Sequence, residues 1–138
     1  MRKFFYNLVI RNNMNIVPAH KSDLEACHNL SMASDEEVKE KINELLEWVQ
    51  DINWPVAPRI CERLKNIGSP LIEPIRNILL GTDEVWKYWV ISNILDRASK
   101  ETVCSLKSEL TNIVKNPTES EAAEEVNIVA GEVLAKCQ

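Results

Sequence analysis

The stretch Leu45-Leu46-Glu47-Trp48-Val49-Gln50-Asp51-Ile52-Asn53-Trp54-Pro55-Val56-Ala57-Pro58 constrains the fold more than any other part of the chain. An apolar helical pattern stops at Gln50, a short polar break follows, and prolines stand where a new helix opens. Proline suits that position because the first-turn backbone N–H groups have no intrahelical partners to lose. So short a break predicts a tight turn between two antiparallel helices.

The event recurs downstream. Ile42, Leu45 and Leu46 return as Ile75, Ile78 and Leu79 and again as Leu110, Ile113 and Val114, at offsets of 33 and 35. Val56, Ala57, Ile60, Cys61 and Leu64 return as Val90, Ile91, Ile94, Leu95 and Ala98 at a constant 34. Asp51-x-x-Trp54 returns as Asp83-x-x-Trp86 at 32, two residues out of step with the helices. A two-helix period near 34 marks an α-solenoid, whose units cannot hide their apolar faces alone and share a core with stacked neighbours. The expected fold is all-α: a short α-solenoid of three HEAT-like helical pairs over residues 16–138, preceded by a short N-terminal helix, with residues 1–15 an N-terminal extension. The competing reading is an unrelated bundle, since amphipathic helices of similar length always superpose in part.

Capping signatures place the helices. Ser22-Asp23-Leu24-Glu25, Ser34-Asp35-Glu36-Glu37 and Thr118-Glu119-Ser120-Glu121 each offer a hydroxyl at the N-cap and a glutamate three positions on. They predict a short helix to about Ala33, a helix from 35 to Gln50 striped by Val38, Ile42, Leu45, Leu46 and Val49, and a final helix striped by Val126, Val129, Ala130, Val133 and Leu134. Between them, Val56 opens a helix ending at Gly68, Ser69-Pro70 opens another stopped by Gly81, Thr82-Asp83 caps a third, and Ser99 begins a fourth that ends at Asn116-Pro117. No strand signal survives beyond the first ten residues.

Composition removes several classes of function. The net charge is −5, with 21 acidic against 16 basic residues spread along the chain, a balance that repels phosphate backbones; no nucleic acid is expected as a partner. No apolar run is long enough to span a membrane. Met1 to Arg11 resembles a signal peptide only faintly, because its apolar segment holds Asn7 and meets Arg11-Asn12-Asn13 where small residues belong. The chain is therefore expected to be cytoplasmic, with Met14 an alternative start. Cys27, Cys61, Cys104 and Cys137 form no Cys-x-x-Cys pair, so no metal site is expected and all four are read as buried free thiols in a reducing compartment.

Val17-Pro18-Ala19-His20-Lys21-Ser22-Asp23, then Leu46 to Ala57 with its Gln-Asp-x-Asn-Trp-Pro-Val-Ala core, then Trp86-Lys87-Tyr88-Trp89 resemble a mainly bacterial family catalogued as domain of unknown function 5071. The resemblance runs from about residue 16 to the C-terminus and leaves residues 1–13 outside. It implies a helical domain and no assigned activity, cofactor or partner.

Candidate binding residues gather at the turns. Asp51 and Asp83 each either cap the following helix or present a carboxylate to a ligand. Lys87 falls between Val90, Ile94 and Ala98 on the face to be buried, so it needs a partner; Asp51 or Asp83 is expected, or escape past the helix start, or a free binding ammonium. Trp48, Trp54, Trp86, Tyr88 and Trp89 cluster near two turns, and residues 86, 88 and 89 point different ways around one helix. At least one should line an open groove, and Trp and Tyr are enriched at binding hot spots. His20 and Lys21 either dock the leader onto the body or meet an acidic ligand, while Cys27 and His28 do not share a helix face and make poor joint ligands.

These residues predict a non-enzymatic protein-interaction module that needs no cofactor. It would bind an unknown protein partner through Asp51, Trp54, Trp86, Lys87, Trp89 and His20. No His-Glu-x-x-His, Gly-rich phosphate loop or nucleophile with a recognisable base is present. Two alternatives stay open: a helical-repeat enzyme of the DNA-glycosylase type, which would need a basic groove with an Asp at its base, and an immunity or antitoxin-type inhibitor. Oligomeric state is not legible.

Overall fold

The computed structural model describes residues 14–138. Among them ten α-helices follow one another and no residue lies in a strand. They are α1 (Leu24–Met32), α2 (Asp35–Lys39), α3 (Ile42–Glu47), α4 (Val56–Leu64), α5 (Ile72–Leu79), α6 (Glu84–Asn93), α7 (Lys100–Cys104), α8 (Lys107–Lys115), α9 (Glu119–Ala123) and α10 (Val126–Leu134). Three 3-10 turns, Ser69–Leu71, Leu95–Arg97 and Ala135–Cys137, lead into α5, close α6 and end the chain. The extension assigned to residues 1–15, with its faint signal-like segment, lies outside the described residues apart from Met14 and Asn15.

The apolar stripes form one core. Ile42, Leu45 and Leu46 are buried, as are Ile75, Ile78, Leu79, Leu110 and Ile113, and so are all ten members of the two superposed sets that begin at Val56 and Val90. Burying each valine, leucine or isoleucine among them is worth roughly 1.5–3 kcal/mol, so spacing that directs them to one side of every helix decides the packing. α5 packs on α6 and on α8, α10 on α8 and on α6, α9 on α10, and α1 on α4.

Three helices expected to be continuous are jointed. Residues 35 to 50 form α2 and α3, residues 99 to 116 form α7 and α8, and residues 118 to the end form α9, α10 and the last 3-10 turn. The third joint has a visible cause. In an unbroken helix the inward positions Val126, Val129, Ala130 and Val133 extrapolate back to Ala122, yet Ala122 is exposed and Glu121 is buried. Glu125, in the left-handed region at φ 61, shifts the register by one residue and turns Glu121 inward.

Caps follow the sequence with local corrections. Thr118 forms the full reciprocal box with Glu121, while Ser34 and Ser99 accept from the N–H groups of Glu37 and Thr102. At the first helix the cap is Asp23, not Ser22: its carboxylate takes the Ala26 N–H at 3.2 Å and the Ala19 N–H at 2.9 Å. These two backbone donors hold its carboxyl below the usual range. Gly68, at φ 82, precedes the 3-10 turn instead of ending α4, and Ser69 makes no capping bond.

Two arginines tie elements together. Arg63 on α4 donates to the Leu30 and Ala33 carbonyls at the end of α1 and pairs with Asp35. Arg76 on α5 pairs with Glu109 on α8 and donates to the Ser105 carbonyl at the α7–α8 joint.

The reading of four free thiols is corrected. Cys104 at the end of α7 and Cys137 in the C-terminal turn form a disulfide with Cα atoms 5.5 Å apart. Only Cys27 and Cys61 are free and buried, and burial pushes the Cys61 thiol up to about 12. A reducing compartment loses the support those thiols lent it. Among the described residues no helix is long and apolar enough to cross a membrane.

Candidate functional site

The turn from Leu80 to Asp83 starts α6 beside the C-terminal ends of α3 and α5. There the Asp83 carboxylate accepts the Trp86 N–H at 3.0 Å and fixes the first turn of α6. The Trp86 indole N–H then reaches across the molecule to the Leu46 carbonyl, 2.9 Å away. That bond satisfies the polar edge of an aromatic body whose remaining surface can be presented to a ligand. Trp86, Leu46, Pro74 and Ile78 supply apolar surface to a groove of about 390 Å³ edged by Asn43, Glu47, Asn77, Thr82 and Asp83. Gly81 closes it at the turn, where a Cβ would stand 3.3 Å from the Ile78 carbonyl oxygen.

Of the six residues expected to bind, Trp86 alone lines this groove. Asp51 makes a local turn: its carboxylate accepts the Asn53 N–H at 2.9 Å and its carbonyl the Trp54 N–H at 3.1 Å. It does not cap α4, whose N-cap position is Pro55 and whose Val56 N–H goes to the Lys21 carbonyl. That last bond docks the leader on the body. His20 itself is exposed, its Nδ1 accepting the Ser22 N–H at 3.3 Å. Trp54 packs edge-on against Trp48 with ring centroids 5.5 Å apart, and Trp89 does the same with Tyr88 at 5.1 Å.

Lys87 is buried, as its wheel position requires, but its partners differ from those expected. Its ammonium lies 3.1 Å from Glu84, one turn back on α6, and 3.1 Å from Glu121 on α9. Asp51 and Asp83 take no part. Burial pushes the Glu121 carboxyl up, yet hydrogen bonds from the Thr118 N–H and Lys87, the Lys87 charge and the Thr118 hydroxyl outweigh it and leave the carboxyl lowered. One oxygen of Glu121 serves the capping box and the other serves Lys87, so this is a structural lock with no oxygen to spare.

A second, wider cleft of about 560 Å³ lies between α1 and α4 and is lined by His28, Ser31, Arg59, Glu62 and Arg63, with Cys27 at its wall. Arg63 and Glu62 are engaged there by Asp35 and Arg97, and burial raises the Cys27 thiol, which makes it a poor nucleophile. Among the described residues no three His, Cys, Asp or Glu side chains are grouped to hold a metal ion.

Sequence reasoning missed Asn43, Glu47, Pro74 and Asn77. Their signal was faint: each borders an apolar stripe on its exposed flank, and nothing local says that two such flanks face each other. The model of the family described as Domain of unknown function (DUF5071) matches residues 16–134. No curated protein matches the chain.

Proposed function

This chain belongs to the DUF5071 family, and we propose that it is a non-enzymatic interaction module that receives a protein partner in the groove beneath Trp86. The observation that carries the reading is the indole fixed by its bond to the Leu46 carbonyl over an apolar floor. An aromatic already held in place loses little freedom on binding, which is how a few residues come to dominate an interface. We also read the helices as HEAT-like pairs, α3 with α4, α5 with α6 and α8 with α10. Supporting this, α5 meets both α6 of its own pair and α8 of the next, while α10 meets both α8 and α6. The nucleic-acid enzyme alternative needs a basic groove, and no lysine or arginine lines this one.

The test is affinity capture from cells of origin with wild type, Trp86→Ala, Asn77→Arg and Trp89→Ala, each checked for helicity by circular dichroism. Asn77 is exposed, so its replacement blocks the groove without disturbing the core. Proteins held by wild type and by Trp89→Ala should drop out with the other two variants. Identical captures by all four would remove the groove from consideration.

A further inference from the structure

Resting on that reading of the groove, we propose that its occupant is a basic segment of another protein, one that brings a lysine or arginine to Glu47 and Asp83 and lays an aliphatic side chain on Ile78 and Trp86. Two carboxylates and no cationic residue line the groove. Where acids meet cations on other elements they are paired: Asp35 with Arg63, Glu62 with Arg97, Glu109 with Arg76 and Glu121 with Lys87. Among the described residues Glu47 and Asp83 stand outside every such pair, and Asp83 uses only one carboxylate oxygen on the Trp86 N–H.

The backbone does not decide the sign of the occupant. Leu46 and Glu47 close α3, and Asn77 and Ile78 lie in the last turn of α5. Against these two helix C-termini stands the N-terminus of α6, capped by Asp83, so the preference for a cation rests on the two carboxylates. Apolar contact is available beside the charge: Leu80 is 69% exposed and Val85 42% exposed, one on each side of the turn that closes the groove. An occupant with alternating basic and aliphatic character meets both features, whereas an acidic or wholly polar one meets neither.

The experiment selects short random peptides displayed on phage against the full chain. The selected peptides are synthesised and titrated by fluorescence anisotropy on wild type, Glu47→Lys, Glu119→Lys, Trp86→Ala and Asn77→Arg. Glu119 is an exposed acid on α9, away from the groove lining, and controls for general attraction to an acidic surface. The expected peptides carry Lys or Arg beside Leu, Ile or Val and bind Glu47→Lys roughly five- to tenfold more weakly, the size of a partly exposed pair turned into a like-charge contact. They should bind Glu119→Lys as they bind wild type, and loosen as salt rises. Acidic or uncharged peptides that still require Trp86 would overturn the basic occupant and leave the groove standing. Equal losses with Glu47→Lys and Glu119→Lys would overturn the occupant in the same way. A selection without binders, or binders indifferent to Trp86 and Asn77, would remove both.

Discussion

Replacing Lys87 by Met leaves the buried space filled and removes the charge. The ammonium is enclosed between Glu84 and Glu121, whose side chains are 14% and 7% exposed, so both acids lose their counter-ion at once. Breaking a buried pair costs about 3–5 kcal/mol because an uncompensated charge stays behind, a large part of the roughly 5–15 kcal/mol that holds a domain together. Glu121→Gln in the same background takes away the more deeply buried of the two stranded charges and keeps an oxygen for the Thr118 N–H, since glutamine also serves in a capping box. The double variant should recover part of the loss, and adding Glu84→Gln, which replaces the whole buried group, should bring it to within about 1–2 kcal/mol of wild type.

The assay is urea unfolding followed by circular dichroism, with slopes compared to confirm one cooperative transition. Acidity supplies an independent check. In Lys87→Met, Glu121 keeps its Thr118 hydrogen bonds but loses the bond and charge of Lys87, so its carboxyl lies higher than in wild type, the folded variant takes up a proton sooner, and the penalty should shrink as pH falls through the carboxylate range. A single-variant loss below about 1 kcal/mol, or a loss that does not shrink as pH falls through the carboxylate range, would refute the argument that this charge is locked in place by its partners.

In wild type the Glu121 carboxyl is lowered on folding. Its contribution is present above the ordinary glutamate range and lost as pH falls through the lowered value, so Glu121→Gln should flatten the acid limb of stability against pH. Glu125→Gly should stabilise by about 0.5–1 kcal/mol and Glu125→Val destabilise by more, because φ 61 suits glycine and punishes a branched side chain; thermal unfolding checks both. The Cys104–Cys137 bridge closes a loop of sequence separation 33, and Cys104→Ser should cost about 3–4 kcal/mol by the chain-entropy relation. Thiol titration of the denatured chain should find Cys27 and Cys61 alone before reduction and all four cysteines after it.

What local chemistry dictates was legible in the sequence. Asp83 and Thr118 cap the helices assigned to them because a cap needs only the next three residues. The stripes at Ile42, Ile75 and Leu110 are buried because the helical period alone sets their direction. What depends on distant partners was not legible. Ala122-Ala123-Glu124-Glu125 reads as good helix, and the break appears only once Lys87 requires Glu121 inside. Glu121 looked like a cap and nothing more, though it serves both. Four cysteines allow three complete pairings, so spacing could not single out one bridge. At the groove the aromatic cluster identified Trp86 but scattered the rest, since neighbours in sequence around one helix point to different sides.

The acceptor beneath Trp86 is a main-chain oxygen, forty residues away in sequence. No side-chain exchange at position 46 removes that oxygen, so apolar drift in the residue below leaves the indole tethered, whereas a change at position 86 releases it. Mutational scans should therefore show position 46 tolerating apolar side chains of suitable bulk while position 86 stays strict. The indole proton itself offers a single resolved reporter for anything that comes to rest nearby.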